Sequence, residues 1–472
     1  MLTVGTVYLI SEWLVRIVML LYVPQRRSPA SARAWLLLIF FLPIPAIVLY
    51  ALIGRAYVPR KRLEQQLQLI EMMQLLSERS GRMAPPPPPP PPEIIEAARL
   101  ARNLGSFGVA AGNKVELIAD YRQSLERLLK DIDAAHSSVH LLYYIFAEDS
   151  VALRAAEALE QAAQRGVKCR ILLDSVGSRR TLRHLAPRLR AAGIEVVPLL
   201  PVRLLRRGRM RFDLRNHRKV AVIDGRVSYV GSQNIVGADA NRGLTNQELV
   251  ARVEGPVSHQ LQALLLADRY QEVGKEIRDP GLFPGLLPAG VSAAQVLPSG
   301  PGHQEGNTLS VLVSLVYAAR RRVVLTTPYF VPDAPFLTAV HTAAARGVEV
   351  HLIVSRQSNK PVVQFAQQSY YEDLLAAGVR IHMYRSAFLH AKHVSIDDSV
   401  AVIGSSNLDI RSFALNSELS LLVYDSAVVA DLQRIQERYM ADADEVTLER
   451  WQERSPMRRW LQNMCRLADT LI

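Results

Sequence analysis

Two stretches of the chain place a histidine, a lysine and an aspartate in one order and at one spacing: His217-x-Lys219 followed by Asp224, and His390-x-Lys392 followed by Asp397. In each, six residues separate the aspartate from a glycine-serine-x-asparagine run, Gly231-Ser232-Gln233-Asn234 and Gly404-Ser405-Ser406-Asn407. An Asn-x-Glu follows, at Asn246-Gln247-Glu248 and Asn416-Ser417-Glu418. A lone His, Lys or Asp is ordinarily a surface or core residue, and only the shared order and the repetition lift these above that reading. Their chemistry suits a phosphodiester, whose negative oxygens repel attack and whose alkoxide leaves poorly, so that nucleophile, cations and acid must all be supplied. The imidazoles provide nucleophile and acid. Lys219 and Lys392 are expected to hold the phosphate oxygens, assisted by Asn234, Asn407 and the hydroxyls of Ser232 and Ser405. Asp224 and Asp397 complete the catalytic signature, and the turn residues after them, Gly225 and Asp398, give them the task of organising a turn. Duplication predicts one active site built from two halves.

The double signature resembles the phospholipase D superfamily. Thr327-Pro328-Tyr329-Phe330-Val331-Pro332-Asp333 and Leu214-Arg215-Asn216-His217-Arg218-Lys219 narrow the resemblance to its bacterial cardiolipin synthase branch. The resemblance implies that His217 is the nucleophile that forms a phosphohistidine, with His390 as the acid that later serves as base. The symmetric motifs by themselves do not choose between the two. It also implies that Glu248 and Glu418 orient the imidazoles, since a carboxylate on one ring nitrogen fixes the tautomer and raises basicity. The implied reaction joins two phosphatidylglycerol molecules into cardiolipin and glycerol, with phosphatidylethanolamine as an alternative donor and no cofactor.

The elements that must carry these residues repeat as well. A strand-like run at Val139–Phe146 follows helical patterning over Tyr121–Ala135. Arg165-Gly166-Val167 then punctuates the first half as Arg346-Gly347-Val348 does the second, and Ala191-Ala192-Gly193-Ile194 answers Ala376-Ala377-Gly378-Val379. Strand, helix, strand, helix, strand predicts α/β lobes with largely parallel sheets, at residues 105–290 and 291–472. His and Lys two apart share a strand face.

A formal net charge of +12 favours an anionic partner, nucleic acid or an acidic membrane. Cys169 and Cys465 are the two cysteines, far apart and without a CxxC, which supports neither a disulfide framework nor a zinc site. Residues 1–62 read as a membrane anchor. Ala34–Ile53 carries no charged side chain, has Trp35 and Tyr50 near its ends, and predicts a spanning helix kinked at Pro43 and Pro45. Leu2–Val23 is apolar but contains Glu12 and Arg16, spaced to pair across one turn. It reads as a second span, an interfacial helix, or a signal sequence cleaved near Ala30-Ser31-Ala32. The two segments read as a transmembrane hairpin with Arg26, Arg27 and Arg33 in its turn and Arg55, Arg60, Lys61 and Arg62 after it. The larger basic cluster adjoins the catalytic body and predicts that body to be cytoplasmic, on a multi-pass protein of the bacterial inner membrane.

Residues 63–104 form a linker, in which Pro85–Pro92 predicts a polyproline II rod of roughly 25 Å. A docking site for a proline-binding domain is the alternative. Two basic stretches remain. Arg203–Lys219, with Arg206, Arg207, Arg209, Arg211, Arg215 and Arg218, either gathers anionic headgroups or is a solvated loop. Trp451, Arg454, Arg458, Arg459, Trp460 and Leu461 either lie at a bilayer interface or pack on the second lobe. The expected partners are therefore anionic phospholipids and the membrane, not nucleic acid. A nuclease or other phosphodiesterase, a lipid hydrolase using water, and an inactive lipid-binding scaffold are the competing functions.

Overall fold

The computed structural model describes residues 4–27, 29–54, 64, 68, 89–202, 213–239, 244–277, 279–285, 288–301, 303 and 306–467. Two compact units arise from it: Met1–Pro59 with Arg203–Leu214, and Arg60–Val202 with Arg215–Ile472.

In the N-terminal unit, helix Val4–Tyr22 is followed by Pro29–Phe41 and Pro43–Ile53. The stretch 34–53 is thus two helices instead of one kinked span. Pro43 cannot donate a backbone hydrogen bond, and it pushes the residue before it out of the helical region; Leu42 sits at φ −132°, ψ 67°. Gly5–Tyr22, within the apolar stretch that carries Glu12 and Arg16, is the one helix among the described residues long and apolar enough to cross a bilayer. Glu12 and Arg16 do pair across a turn, at 3.2 Å, and Arg16 Nε also donates to the Phe40 carbonyl at 3.1 Å. Trp35 meets Tyr50 edge-on at 5.1 Å.

The second unit is built on one 15-stranded sheet. Its first half comprises β1 (Ala110–Ile118), β2 (Ser138–Tyr143), β3 (Lys168–Asp174), β4 (Glu195–Leu199), β5 (Lys219–Ile223), β6 (Val227–Gly231) and β7 (Val250–Glu254). The second half comprises β8 (Ser292–Ser299), β9 (Arg322–Thr326), β10 (Glu349–Ser355), β11 (Arg380–Tyr384), β12 (His393–Ile396), β13 (Val400–Gly404), β14 (Glu418–Val423) and β15 (Ala443–Val446). The spatial order β15-β11-β10-β9-β12-β13-β14-β8-β1-β7-β6-β5-β2-β3-β4 reads the same outward from its centre in both directions, apart from the extra edge strand β15. At the centre β1 pairs antiparallel with β8, Ala110 opposite Ala294.

The sheet is less parallel than the sequence suggests. In each half three strands run parallel, β2-β3-β4 and β9-β10-β11. The motif strands instead return directly as hairpins, β5 to β6 and β12 to β13, and a short turn joins only antiparallel neighbours. Those turns begin at Asp224 (φ 52°) and Asp397 (φ 47°), left-handed positions that Asp tolerates better than most residues. Apolar side chains from both halves, among them Val220, Val222, Ala294, Val296, Ala401 and Leu421, merge in one buried cluster.

Helix Ile95–Gly105 falls almost wholly in the stretch read as linker, yet it packs into the second half: Ile94, Ala97, Ala98 and Ala101 are buried with Ala293, Leu297, Val311 and Leu315. Of the octaproline, residues 89–92 are described and 85–88 lie outside the described residues.

Candidate active site

His217 and His390 lie just before β5 and β12, held there by backbone pairing between the two halves. His217 N donates to the Ser417 carbonyl at 2.8 Å, and Ser417 N to the Arg215 carbonyl at 2.9 Å. Symmetrically, Phe388-Leu389 pairs with Asn246-Gln247, and His390 N donates to the Gln247 carbonyl at 2.8 Å. Each histidine is thereby set beside the Asn-x-Glu of the opposite half. The result is a crossed pair: Glu418 accepts from His217 Nδ1, its two oxygens at 2.9 and 3.0 Å, and Glu248 accepts from His390 Nδ1 at 2.7 Å. Fixing Nδ1 as donor leaves both Nε2 atoms as lone-pair bearers. Both imidazoles line one cavity of about 420 Å³, together with Tyr144, Arg215, Asn234, Asn407, Tyr329 and Arg411.

Burial, reinforced by Lys219 and Lys392 against the pull of Glu418, pushes the His217 imidazole down to about 4. His390 is lowered by burial too, with Glu248 opposing. Burial alone would raise the two carboxyls, but the facing imidazoles, hydrogen bonds and lysine charges hold Glu248 and Glu418 below the usual carboxylate range. At neutral pH the site therefore holds neutral imidazoles and ionised carboxylates. Lys219 and Lys392 each donate to the carbonyl of the histidine two residues earlier. Burial brings Lys219 down to about 7 and Lys392 to about 8. Each ammonium is charged below its pKa and loses its charge above it. Activity in kcat/KM should therefore fall as pH rises through about 7 to 8, measured on mixed micelles between pH 6 and 10. Lys219→Arg should shift that fall to higher pH, because guanidinium does not deprotonate.

Several expected site residues are placed otherwise. Neither the lysines nor the serines line the cavity: Lys219 and Lys392 turn to the histidine carbonyls, Ser405 Oγ donates to Glu418 at 2.6 Å, and Ser232 Oγ accepts from Leu249 N at 3.1 Å beside Glu248. Both hydroxyls are buried behind the carboxylates and steady them. Asn234 and Asn407 do face the cavity, Asn234 anchored by accepting from Ile145 N at 3.0 Å. Asp224 and Asp397 sit at the far ends of the motif strands, roughly 17 Å along the chain from the lysine at 3.3 Å per residue. Asp224 accepts from the backbone N–H of His136, Ser137 and Ser138 at 2.7–2.9 Å, and Asp397 from Arg320, Arg321 and Arg322 at 2.8–2.9 Å. They staple each hairpin turn to the start of its neighbouring strand and do not reach the reacting atoms. Asp224→Ala or Asp397→Ala should cost about 2–3 kcal/mol in urea unfolding while the folded fraction keeps near-normal kcat.

Of the basic stretch, residues 203–212 lie outside the described residues. Arg215 and Arg218 are buried supports. Arg215 Nη2 donates to the Leu200 carbonyl at 3.0 Å, while Arg218 grips Asp268 at 2.6 Å and the Glu418 carbonyl at 2.9 Å, tying the first motif to the second. Lys360, Asp409 and Arg411 also border the cavity. They lie outside the repeated signature, so spacing gave no sign of them.

The family model described as "Cardiolipin synthase, PLD-like domain" matches residues 128–268 and 312–440. Cardiolipin synthase A of Proteus mirabilis (strain HI4320) is 35% identical over 459 residues, covering 95% of this chain and 94% of that protein. The chain belongs to the phospholipase D-like cardiolipin synthase family. Another member, cardiolipin synthase A of Pectobacterium carotovorum subsp. carotovorum (strain PC1), is 35% identical over 465 residues, 93% of this chain and 92% of that one. The fold extends to phosphatidylserine synthase of Haemophilus influenzae Rd KW20, with a TM-score of 0.61 at 15% identity over 80% of this chain and 99% of that one. The two family-model matches fall one on each half of the sheet, as the duplicated motif requires.

Proposed function

We propose that this cardiolipin synthase family member makes cardiolipin by ping-pong phosphatidyl transfer. The observation that carries the reading is the pair of imidazoles in one cavity, each backed by a carboxylate from the opposite half. His217 Nε2 attacks the phosphorus of a first phosphatidylglycerol. The nitrogen–phosphorus bond forms as the phosphorus–oxygen bond to glycerol breaks, and His390 gives its proton to the departing alkoxide. The free site holds His390 neutral, so binding of the phosphodiester anion must raise its pKa and be accompanied by uptake of a proton from solvent at His390 Nε2. The neutral His390 then takes a proton from the hydroxyl of a second phosphatidylglycerol, whose oxygen attacks phosphorus and frees His217. Lys219 and Lys392 offset the charge that builds on the phosphoryl oxygens.

The substrates are anionic phospholipids, and the enzyme works at the bacterial inner membrane with its catalytic body in the cytoplasm. Helix Gly5–Tyr22 and the basic cluster Arg55, Arg60, Lys61 and Arg62 support that placement. A reporter fused after Arg62 should be active only in the cytoplasm. Purified full-length protein with phosphatidylglycerol vesicles tests the chemistry: cardiolipin with equimolar glycerol supports transfer, whereas phosphatidic acid would mean hydrolysis, and absence of turnover an inactive scaffold.

A further inference from the structure

The C-terminal helix Pro456–Arg466 is turned inside out. Its N-terminus is set by Ser455, whose Oγ accepts from Arg458 N at 3.3 Å, and by Pro456 at the first helical position. Met457, Trp460, Leu461 and Met464 recur at helical spacing on one face, with Leu467 just beyond. That face points to solvent: Met457 is 71% exposed, Trp460 58%, Leu461 38%, Met464 44% and Leu467 75%. The polar face is the one that packs. Gln462 is buried and donates to Gln368 at 2.9 Å, Arg454 donates to Gln462 at 2.6 Å, and Arg466 stacks over Tyr370 at 4.2 Å. An ordinary surface helix buries its apolar stripe against the core and shows its charges to water. Here the apolar stripe is left in water while Gln462 and Arg466 pack, and Trp451, not Trp460, meets the core, 5.0 Å from Tyr371.

We propose that this face is a docking surface for an anionic lipid bilayer, which it enters to the depth of the headgroup boundary. Resting on the reading of phospholipid as substrate, it adds where and how the catalytic body meets that substrate. Exposed Arg458 and Arg459 flank the apolar stripe; Arg459 lies 3.9 Å from Glu372 and donates to the Gln452 carbonyl at 3.3 Å, and Arg458 is the one placed to reach anionic headgroups while the stripe enters the acyl region. A second copy of the chain on the same face would bring those arginines together. The helix rests on Pro361–Gln368, whose Val363, with Lys360 just before it, lines the catalytic cavity. Val362, next to Val363 on that helix, is itself exposed. Docking here would open the cavity toward the lipid surface, so that a headgroup enters without its acyl chains crossing water.

The test uses the full chain, one copy per nanodisc, in phosphatidylethanolamine–phosphatidylglycerol with brominated acyl chains. Trp460 emission is isolated as the difference between the native chain and Trp460→Phe. That component should be quenched by the brominated lipid and shielded from iodide, and exchanging phosphatidylglycerol for phosphatidylcholine should weaken both effects. Trp460→Ser with Met464→Ser should lower cardiolipin formation in vesicles about tenfold or more, the order of effect of withdrawing one large apolar side chain from an apolar phase, and leave turnover in detergent micelles nearly unchanged. Trp460 open to iodide and untouched by bromine in the discs would overturn the proposal. So would its protection in detergent by a dimer seen in light scattering, which would assign the face to a second copy. Quenching needs no turnover, so bromine quenching without cardiolipin production would keep the docking face and sink the catalytic reading.

Discussion

His217→Ala and His390→Ala are each expected to lower cardiolipin formation by about ten-thousand-fold or more, and the double variant should be hardly worse than either. The reason is architectural. The two rings line one cavity and are held there by backbone pairing between the halves; on the proposed mechanism each serves the same phosphorus, and neither half retains a working site when the other is disabled. Two independent sites would predict instead that each single variant keeps about half the rate. Folding should survive, because the histidine side chains face the cavity and, among the described residues, bond to Glu418 and Glu248 alone. Matching circular dichroism and thermal transitions would verify that control. The two variants should also differ in kind: incubated with radiolabelled phosphatidylglycerol, His390→Ala should retain slow labelling of the protein, and His217→Ala should show none.

The crossed carboxylates give the second large effect. Glu418→Gln should cut turnover by about a hundred- to ten-thousand-fold, because an amide no longer stabilises the imidazolium and no longer enforces the tautomer with Nδ1 protonated. Glu418 lies in the second half but acts on His217 in the first, and Glu248 acts on His390. Glu418→Gln added to His217→Ala should therefore cost little more, while added to Glu248→Gln it should cost a substantial further factor. If Glu418 instead coupled to His390, its partner in sequence, the crossed arrangement would be wrong.

That crossing marks the limit of what the sequence discloses. The motif order exposes the histidines, the lysines and the need for a shared site, because identical local chemistry recurs in two places. The carboxylates are visible in the same way. Which carboxylate serves which imidazole depends on pairings such as Phe388-Leu389 with Asn246-Gln247, residues more than a hundred positions apart whose register leaves no periodic trace. Ser232 and Ser405 look like phosphate ligands by type, yet a buried hydroxyl next to a carboxylate is drawn to it, and Ser405 bonds Glu418. Punctuation by glycine-capped helices overstates the parallel character of the sheet, since it describes three strands of each half and says nothing of the antiparallel hairpins that carry the motifs. Pro43 ends one helix and starts another where composition alone suggests a continuous span. The same blindness to direction affects Pro456–Arg466, where a pattern shows that a helix is two-faced but not which face its protein keeps.

The claim on which the rest depends is that two imidazoles from different halves of the chain act on one phosphorus. The most direct measurement is a crystal structure of the full chain with tungstate, a tetrahedral oxyanion of phosphate-like charge. A single anion bridging the Nε2 atoms of His217 and His390, with Lys219 and Lys392 on its oxygens, is the predicted result. Two anions, one at each histidine and out of reach of the other, would contradict it.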